Sequence, residues 1–214
     1  MNIVDWFIDR FRLKSAHRGI FERDIPEGIN YFYCFGGIAF TSFLLCFVSG
    51  LFLSLYYVPS EKEAYLSIQR IHEDVNLGKL IRGIHKWSAN FLIVSIMIHS
   101  FRVFITKSYR PPRELNWIVG VFIFVVVMLE GFTGYLLPWD QKSYWATVVG
   151  TNIAGSIPFI GQTLLLIIRG GYDVTGITLI RFYSLHVLWF PLIVVILLWA
   201  HFHMIKKLGV SKPL

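Results

Sequence analysis

Apolar residues run almost unbroken through four stretches of the chain, roughly Tyr31 to Tyr57, Ile84 to Ile105, Trp117 to Leu137 and Leu185 to Met204. Each is long enough, at 1.5 Å per residue, to cross a hydrocarbon layer about 30 Å thick. The polar stretch between the third and fourth holds the run TLLLII, bounded by Pro158 and Gly170. That run is too short to span and predicts a short helix lying on the surface. Before the first stretch, Ile3, Phe7 and Phe11 recur at helical spacing, with Val4 and Ile8 beside them and Arg10, Lys14 and Arg18 flanking. This pattern suits an amphipathic helix on a bilayer surface, with an ordinary core helix as the alternative. The expected fold is an all-α membrane protein: a four-transmembrane-helix bundle over residues 31–214, an N-terminal surface segment over 1–30, and short helices in the last loop.

Composition agrees, with 55% hydrophobic and 17% aromatic residues among 214 and a mean hydropathy of +0.59. The net charge of +7 lies near the ends of the apolar segments and forms no stripe that would track a phosphate backbone, so no nucleic-acid partner is expected. The charge reads as topology. Lys and Arg number five before the first span, three between the second and third and three after the fourth, eleven on one side; the other side has four and three, seven in all. Both termini are therefore expected on the cytoplasmic side, with the second and fourth spans running from outside to inside. The first eighteen residues lack a continuous apolar core and contain Asp5 and Asp9, so no cleaved leader is expected. Cys34 and Cys46, twelve residues apart in one span, would stand about 18 Å apart on a helix and cannot pair with each other.

Ionisable residues inside a membrane span are costly, which makes a functional reading the default. The second span carries His85 and His99, fourteen residues apart, or about 21 Å of rise and about 40° of rotation. The fourth carries His186 and His201, fifteen apart, or about 22.5 Å and 60°. The two spans run in the same direction, which puts His85 level with His186 and His99 level with His201. Two facing imidazoles without a carboxylate or thiolate beside them suit a bis-histidine haem at each depth better than a four-ligand zinc site. A proton relay or simple packing is the competing reading.

Gly36 and Gly50 on the first span, and Gly120 and Gly134 on the third, repeat the fourteen-residue spacing, as though clearing room for a flat macrocycle at each level. Close helix packing in lipid explains them equally well. Arg82 and Lys86 flank His85, Arg102 lies one turn beyond His99, and Arg113 and Arg181 stand at helix entrances, all candidates for anionic propionates or for snorkelling to the interface. His17, His72 and His203 read as solvated or interfacial. Trp139, Tyr144 and Trp145 read as an aromatic belt first and quinone contacts second.

Taken together, the segments NYFYCFGGIAF, RGIHKWSANFLIVSIMIHSFRVF, PRELNWIVG, GFTGYLLPWDQKSYWA and RFYSLHVLWFPLIVVILLWAHFHMIKKLGVSKPL resemble the short, split form of cytochrome b, the cytochrome b6 type with its bacterial relatives. The resemblance covers nearly everything from Tyr31 onward. The fifteen-residue spacing of His186 and His201 and the ending at GVSKPL pick the split type over the long one. It implies a subunit of a quinol to cytochrome c or plastocyanin-type oxidoreductase, passing electrons from an outer-side quinol through two b-type haems to an inner-side quinone and contributing to proton translocation. It further implies a Rieske iron-sulfur protein, a cytochrome c-type subunit, a separate three-helix subunit carrying a Pro-Glu-Trp-Tyr motif, and a dimeric complex in a bacterial or thylakoid-type membrane. By the same resemblance Cys34 holds a further, c-like haem through one thioether bond. Residues alone would make Cys34 a buried thiol, since no C-x-x-C-H motif is present, and Cys46 a packing residue. Lys86 and Lys206 stand where the family's plastid forms have arginine, and Gly19 replaces an acidic residue near the inner quinone site, where Glu22 or Asp24 is the substitute proton path. A dihaem membrane anchor of a dehydrogenase and a haem-free proton transporter are the rival functions.

Overall fold

The computed structural model describes residues 27–211, and every regular element among them is helical. The amphipathic segment expected before Tyr31, with His17, Gly19, Glu22 and Asp24, lies outside the described residues. Asn30 opens the fold by accepting the Phe32 N–H at 3.1 Å. A 3₁₀ turn over Tyr31–Cys34 then feeds α1, Phe35–Ser54. α2, Ala64–Glu73, precedes α3, Gly78–Ile105, and α4, Glu114–Leu136. Three short helices follow: α5, Gln141–Gly155; α6, Gly161–Arg169; and α7, Gly176–Ser184. A π turn over Leu185–Trp189 joins α7 to α8, Phe190–Leu208.

Four rods, Tyr31–Ser54, Gly78–Ile105, Glu114–Leu136 and Gly176–Leu208, are long and apolar enough to cross a membrane. They match the four expected spans with shifted ends. The second starts earlier, at Gly78, because Lys79 and Arg82 in its opening turns have stems long enough to carry their charges to a headgroup region. The fourth begins nine residues before Leu185 because α7 runs into α8 through the π turn. TLLLII forms the body of α6, as expected.

α1 lies along α3 and α4 along α8, and a layer of Ala39, Phe43, Leu92, Ile96, Ile123, Val127 and Val194 joins all four. A second cluster, Ala64, Leu136, Leu179 and Phe182, closes the end where the short helices gather, backed by Tyr57 and Trp139. Asp140 starts α5 with a reciprocal cap, accepting the Ser143 N–H at 2.8 Å while its own N–H donates to Ser143 Oγ at 2.9 Å. Glu61, from the connection after α1, accepts the Gly176 N–H at the start of α7. The Tyr57 hydroxyl donates to the Leu137 carbonyl at 2.7 Å, and burial, helped by Tyr183 stacked 5.4 Å away, raises its pKa well above the usual phenol value.

Arg169 fastens this end. It is 5% exposed; its guanidinium donates to Thr151 Oγ1 at 2.7 Å, Asn152 Oδ1 at 2.8 Å, and the carbonyls of Val148 at 2.9 Å and Tyr172 at 2.6 Å, while its own carbonyl accepts from Thr178 at 2.8 Å. The guanidinium thus ties α6 to α5 and to the Tyr172 carbonyl through neutral acceptors, while the Arg169 main chain holds α7 through Thr178. Bonds to a charged donor contribute about 1.5–3 kcal/mol each, less in sum because they share one group. Arg169→Met is expected to cost on the order of 3 kcal/mol. Limited proteolysis should then cut the 138–184 segment faster than wild type while leaving the connection between α3 and α4 equally resistant.

Candidate functional site

His85 and His99 lie on α3; His201 lies on α8 and His186 in the π turn before it. The π turn has a local cause. Pro191 has no N–H to give the Val187 carbonyl, and the Phe190 N–H donates five residues back, to Leu185. One residue turns an α-helix by about 100°, so a turn that absorbs one extra residue makes the fifteen-residue spacing of α8 equivalent in phase to the fourteen of α3. The rotation of 60° expected for a uniform helix is corrected by this bulge.

The rings of His85 and His186 face each other with centroids 6.2 Å apart and planes at 83°. The outward nitrogens are engaged behind them: His85 Nδ1–H donates to the Cys46 carbonyl at 3.0 Å with Ser49 Oγ also at 3.0 Å, and His186 Nδ1–H donates to the Glu130 carbonyl at 2.9 Å. With Nδ1 as donor, Nε2 is left as the lone-pair nitrogen of each ring. Ser49 is itself held, donating to the Leu45 carbonyl at 2.5 Å. At the other level His99 and His201 are near enough for their charges to interact, and the Asn116 main chain lies against His201. Both Nδ1 atoms there are buried without a partner at hydrogen-bonding geometry.

Each ring backs onto one of the four glycines. A Cβ added at Gly36 would lie 3.0 Å from His99, at Gly50 3.2 Å from His85, at Gly120 3.5 Å from His201 and at Gly134 2.5 Å from His186. The space beside the glycine backbones is thus taken by imidazole. Cys46, Glu130 and Asn116 each sit four residues before one of these glycines, which is why their carbonyls meet the ring behind it. Midway between the levels, Phe43, Leu92, Val127 and Val194 each lie seven or eight residues from the glycine or histidine on either side, all buried in the central layer.

The flanking residues separate by role. Arg82 donates to His72 Nε2 at 2.6 Å, and His72 is half-buried. Lys86 and Lys206 are exposed. Arg102 lies 4.0 Å over the Tyr33 ring, its Nε buried and unpartnered. Arg113 donates to the Leu208 carbonyl at the end of α8 at 3.1 Å. Arg181 is spent on the Ile167 carbonyl of α6. Cys34 is exposed on the 3₁₀ turn, two residues before Gly36 and hence at the His99 level. His203 is exposed and stacks on Trp199 at 5.7 Å. Trp139, Tyr144 and Trp145 line a cavity of about 270 Å³ with Asp140 and Gln141.

Cys46 and Glu130 are two residues the histidine spacing did not reveal. The Cys46 thiol donates to the His85 carbonyl at 3.6 Å, and Glu130, with a buried unpartnered Oε2, lies near that thiol. A carboxyl and a thiol therefore do stand beside the His85–His186 pair, contrary to the expectation of none, but they reach the rings through main-chain oxygens. Among the described residues no three histidine, cysteine or carboxylate side chains converge as a protein-only metal cage requires. A donor set of two opposed imidazoles fits an iron already held in a macrocycle. With metal to nitrogen distances of roughly 2 Å, such an iron asks for about 6 Å between ring centres, as His85 and His186 provide.

Residues 20–209 match the family described as Cytochrome b/b6/petB. Cytochrome b6 of Mesostigma viride is 45% identical over 212 residues, covering 99% of both chains. Cytochrome b6 of Crocosphaera subtropica (strain ATCC 51142 / BH68) is 42% identical over the same number, covering 99% of this chain and 96% of that one. A solved chain from a structure described as "Hyperthermophilic respiratory Complex III" superposes with a TM-score of 0.92 at 36% identity, over 99% of this chain and 56% of its own length. This chain thus spans little more than half of that solved chain. Sequence, spans and the paired histidine levels agree: the chain belongs to the cytochrome b/b6 family.

Proposed function

We propose that this chain is the haem-bearing core subunit of a membrane quinol oxidoreductase, with one b-type haem between His85 and His186 and a second between His99 and His201. The observation that carries the reading is the paired geometry: two imidazoles from parallel rods at each of two depths, each ring seated on a glycine of a neighbouring rod. The irons supply one-electron redox stations when bound. The chain's own residues orient and insulate. Cys46, Ser49 and Glu130 fix the rotation and tautomer of the outer imidazoles, and such backing bonds raise ligand basicity. Phe43, Leu92, Val127 and Val194 place an apolar layer between the levels.

The eleven to seven distribution of basic residues supports placing the termini, Cys34 and the His99–His201 level on the cytoplasmic side. Arg82 is then the propionate candidate at the outer edge and Arg102 at the inner, since both are half-buried. Arg113 is engaged at the end of α8, while exposed Lys86 and Lys206 are weaker candidates. The quinol is oxidised at the outer face, beneath the short helices where Trp139, Tyr144 and Trp145 line their cavity, and quinone is reduced at the inner face. A Rieske protein, a cytochrome c-type or plastocyanin-like acceptor chain, a separate three-helix subunit with the Pro-Glu-Trp-Tyr motif and a dimeric assembly complete the proposal. Cys34 carries the c-like haem: its exposed thiol at the inner level favours attachment, and by family resemblance it is the attachment point.

His85→Ala and His186→Ala should each remove the same b component from the reduced-minus-oxidised spectrum, and His99→Ala and His201→Ala the other. Loss of one component in both His85→Ala and His99→Ala would refute the two-level assignment. At the glycines the cost should follow space. Gly134→Ala, whose Cβ meets His186 at 2.5 Å, should lower outer-haem occupancy several-fold, whereas Gly120→Ala, with 3.5 Å, should retain its haem. Pyridine haemochrome quantification reads both.

A haem joined through a thioether survives denaturation, while b haems dissociate. Haem-stained denaturing gels of intact complex should therefore show a band near the 24.8 kDa chain that disappears in Cys34→Ala. A stained band that persists would place the attachment elsewhere, and no band in haem-replete wild type would remove the third haem.

A further inference from the structure

His72 lies on α2, outside the four spans, and nothing in the histidine spacing of α3 or α8 involves it. Its ring nevertheless meets Arg82, three residues before His85 on α3, with Nη1 at 2.6 Å from Nε2. α2 is fixed where it makes this contact. Ile71 is 2% exposed beneath it, and the connection to α3 is so tight that a Cβ at Gly78 would collide with the Ile71 carbonyl. Arg82 in turn stands within electrostatic reach of the His85 ring. His72 therefore reaches the edge of the outer level through one guanidinium.

We propose that His72 is a positioning residue for Arg82, its neutral ring accepting the hydrogen bond that holds the guanidinium at the outer haem edge and releasing it when protonated. The inference rests on the assignment of a haem to His85 and His186. The chemistry is one-directional. A guanidinium has only donors, and an imidazole nitrogen accepts only when it carries no proton, so the contact fixes His72 as the Nδ1–H tautomer. A protonated ring would set two cations donor to donor at the same distance. The charged groups facing His72 are Arg82 and Lys79 from α3 and Glu73 from its own helix. Partial burial and the two cations hold its pKa below the ordinary histidine value, against the pull of Glu73, so the bonded form prevails at neutral pH. As pH falls through that lowered value the ring gains a proton, adding one positive charge beside the outer centre and freeing Arg82. Positive charge favours the reduced iron, so the outer haem's midpoint potential should rise.

The test is a redox titration of both b haems in the intact complex, from about pH 8 down to the acid limit of the complex. In wild type the outer-haem potential should climb further as the pH falls through the His72 pKa, which lies below the ordinary histidine value. In His72→Gln, whose amide oxygen accepts from Arg82 but does not titrate, that acid rise should be lost while the inner haem keeps its wild-type curve. The low-spin ferric resonance of the outer haem at pH 8 should match wild type in His72→Gln and shift in His72→Leu, which cannot hold Arg82. If His72→Gln does not assemble, His72→Asn is read in the same way. An outer-haem curve without an acid rise in wild type, or a rise that survives in His72→Gln or His72→Asn, overturns the proposal. Unchanged resonance in His72→Leu removes the positioning role. Absence of any outer b haem from wild type instead refutes the haem assignment.

Discussion

Contact between an imidazole ring and a bare stretch of helix backbone is the interaction on which the rest of the fold depends. At four places a histidine of α3 or the α7–α8 rod packs against a glycine of α1 or α4, so close that a methyl group would strain three of the four contacts. At the His85–His186 level the same approach lets the ring nitrogen reach a carbonyl four residues before the glycine. One small residue thus supplies both the space and the access to an acceptor. The hydrogen bond behind the ring leaves the other nitrogen as the lone-pair nitrogen and fixes a ring rotation that rotamer preference alone would leave open.

In lipid this matters more than it would in water. Apolar side chains gain little by leaving hydrocarbon for one another, so tight backbone approach and polar contacts carry more of the specificity. Only 11% of the most apolar window is buried in each of the rods Glu114–Leu136 and Gly176–Leu208. The buried layer that does join the four rods is thin and lies between the histidine levels. Its residues separate two polar depths with aliphatic and aromatic carbon. The short helices at the other cluster are held differently, by Arg169, Glu61 and the Asp140 cap, because there main-chain groups near the surface need partners.

The four spans and the pairing of the histidines across them were legible in the residues, since hydropathy and the fourteen-residue spacing are properties of single helices. The purpose of the glycines was only half legible. Spacing reveals that something approaches, but whether it is a ring or a macrocycle depends on a neighbouring helix. Cys46 and Glu130 read as a packing thiol and an unremarked carboxyl because their contribution is made by main-chain oxygens, which carry no side-chain signal. His72 read as solvated or interfacial, and its bond to Arg82 was not legible: that partner lies ten residues away across a helix break, and no helical period connects them. The N-terminal surface segment falls outside the described residues and remains an expectation.

The π turn shows how these levels of description constrain one another. α1 and α3 are antiparallel, so fourteen residues forward from Gly36 to Gly50 correspond to fourteen residues back from His99 to His85, and the two contacts match without adjustment. α4 and α8 are antiparallel too, but fourteen residues from Gly120 to Gly134 correspond to fifteen from His201 to His186. A uniform α-helix would carry the extra residue as a rotation of about 100°, turning His186 away from Gly134 and out of line with His85. The bulge at Leu185–Trp189, with Pro191 withholding the N–H that would close the regular turn, absorbs that residue within one turn. An irregularity of one residue in one rod thereby satisfies two demands at once, a glycine on the same side of the bundle and a partner imidazole across the gap. The second demand fixes the direction of the rods as well. His85 and His186 are level, and so are His99 and His201, only if α3 and α8 run parallel, which requires a single intervening span to bring the chain back. That span is α4, and it is the same helix whose glycines seat the rings of α8.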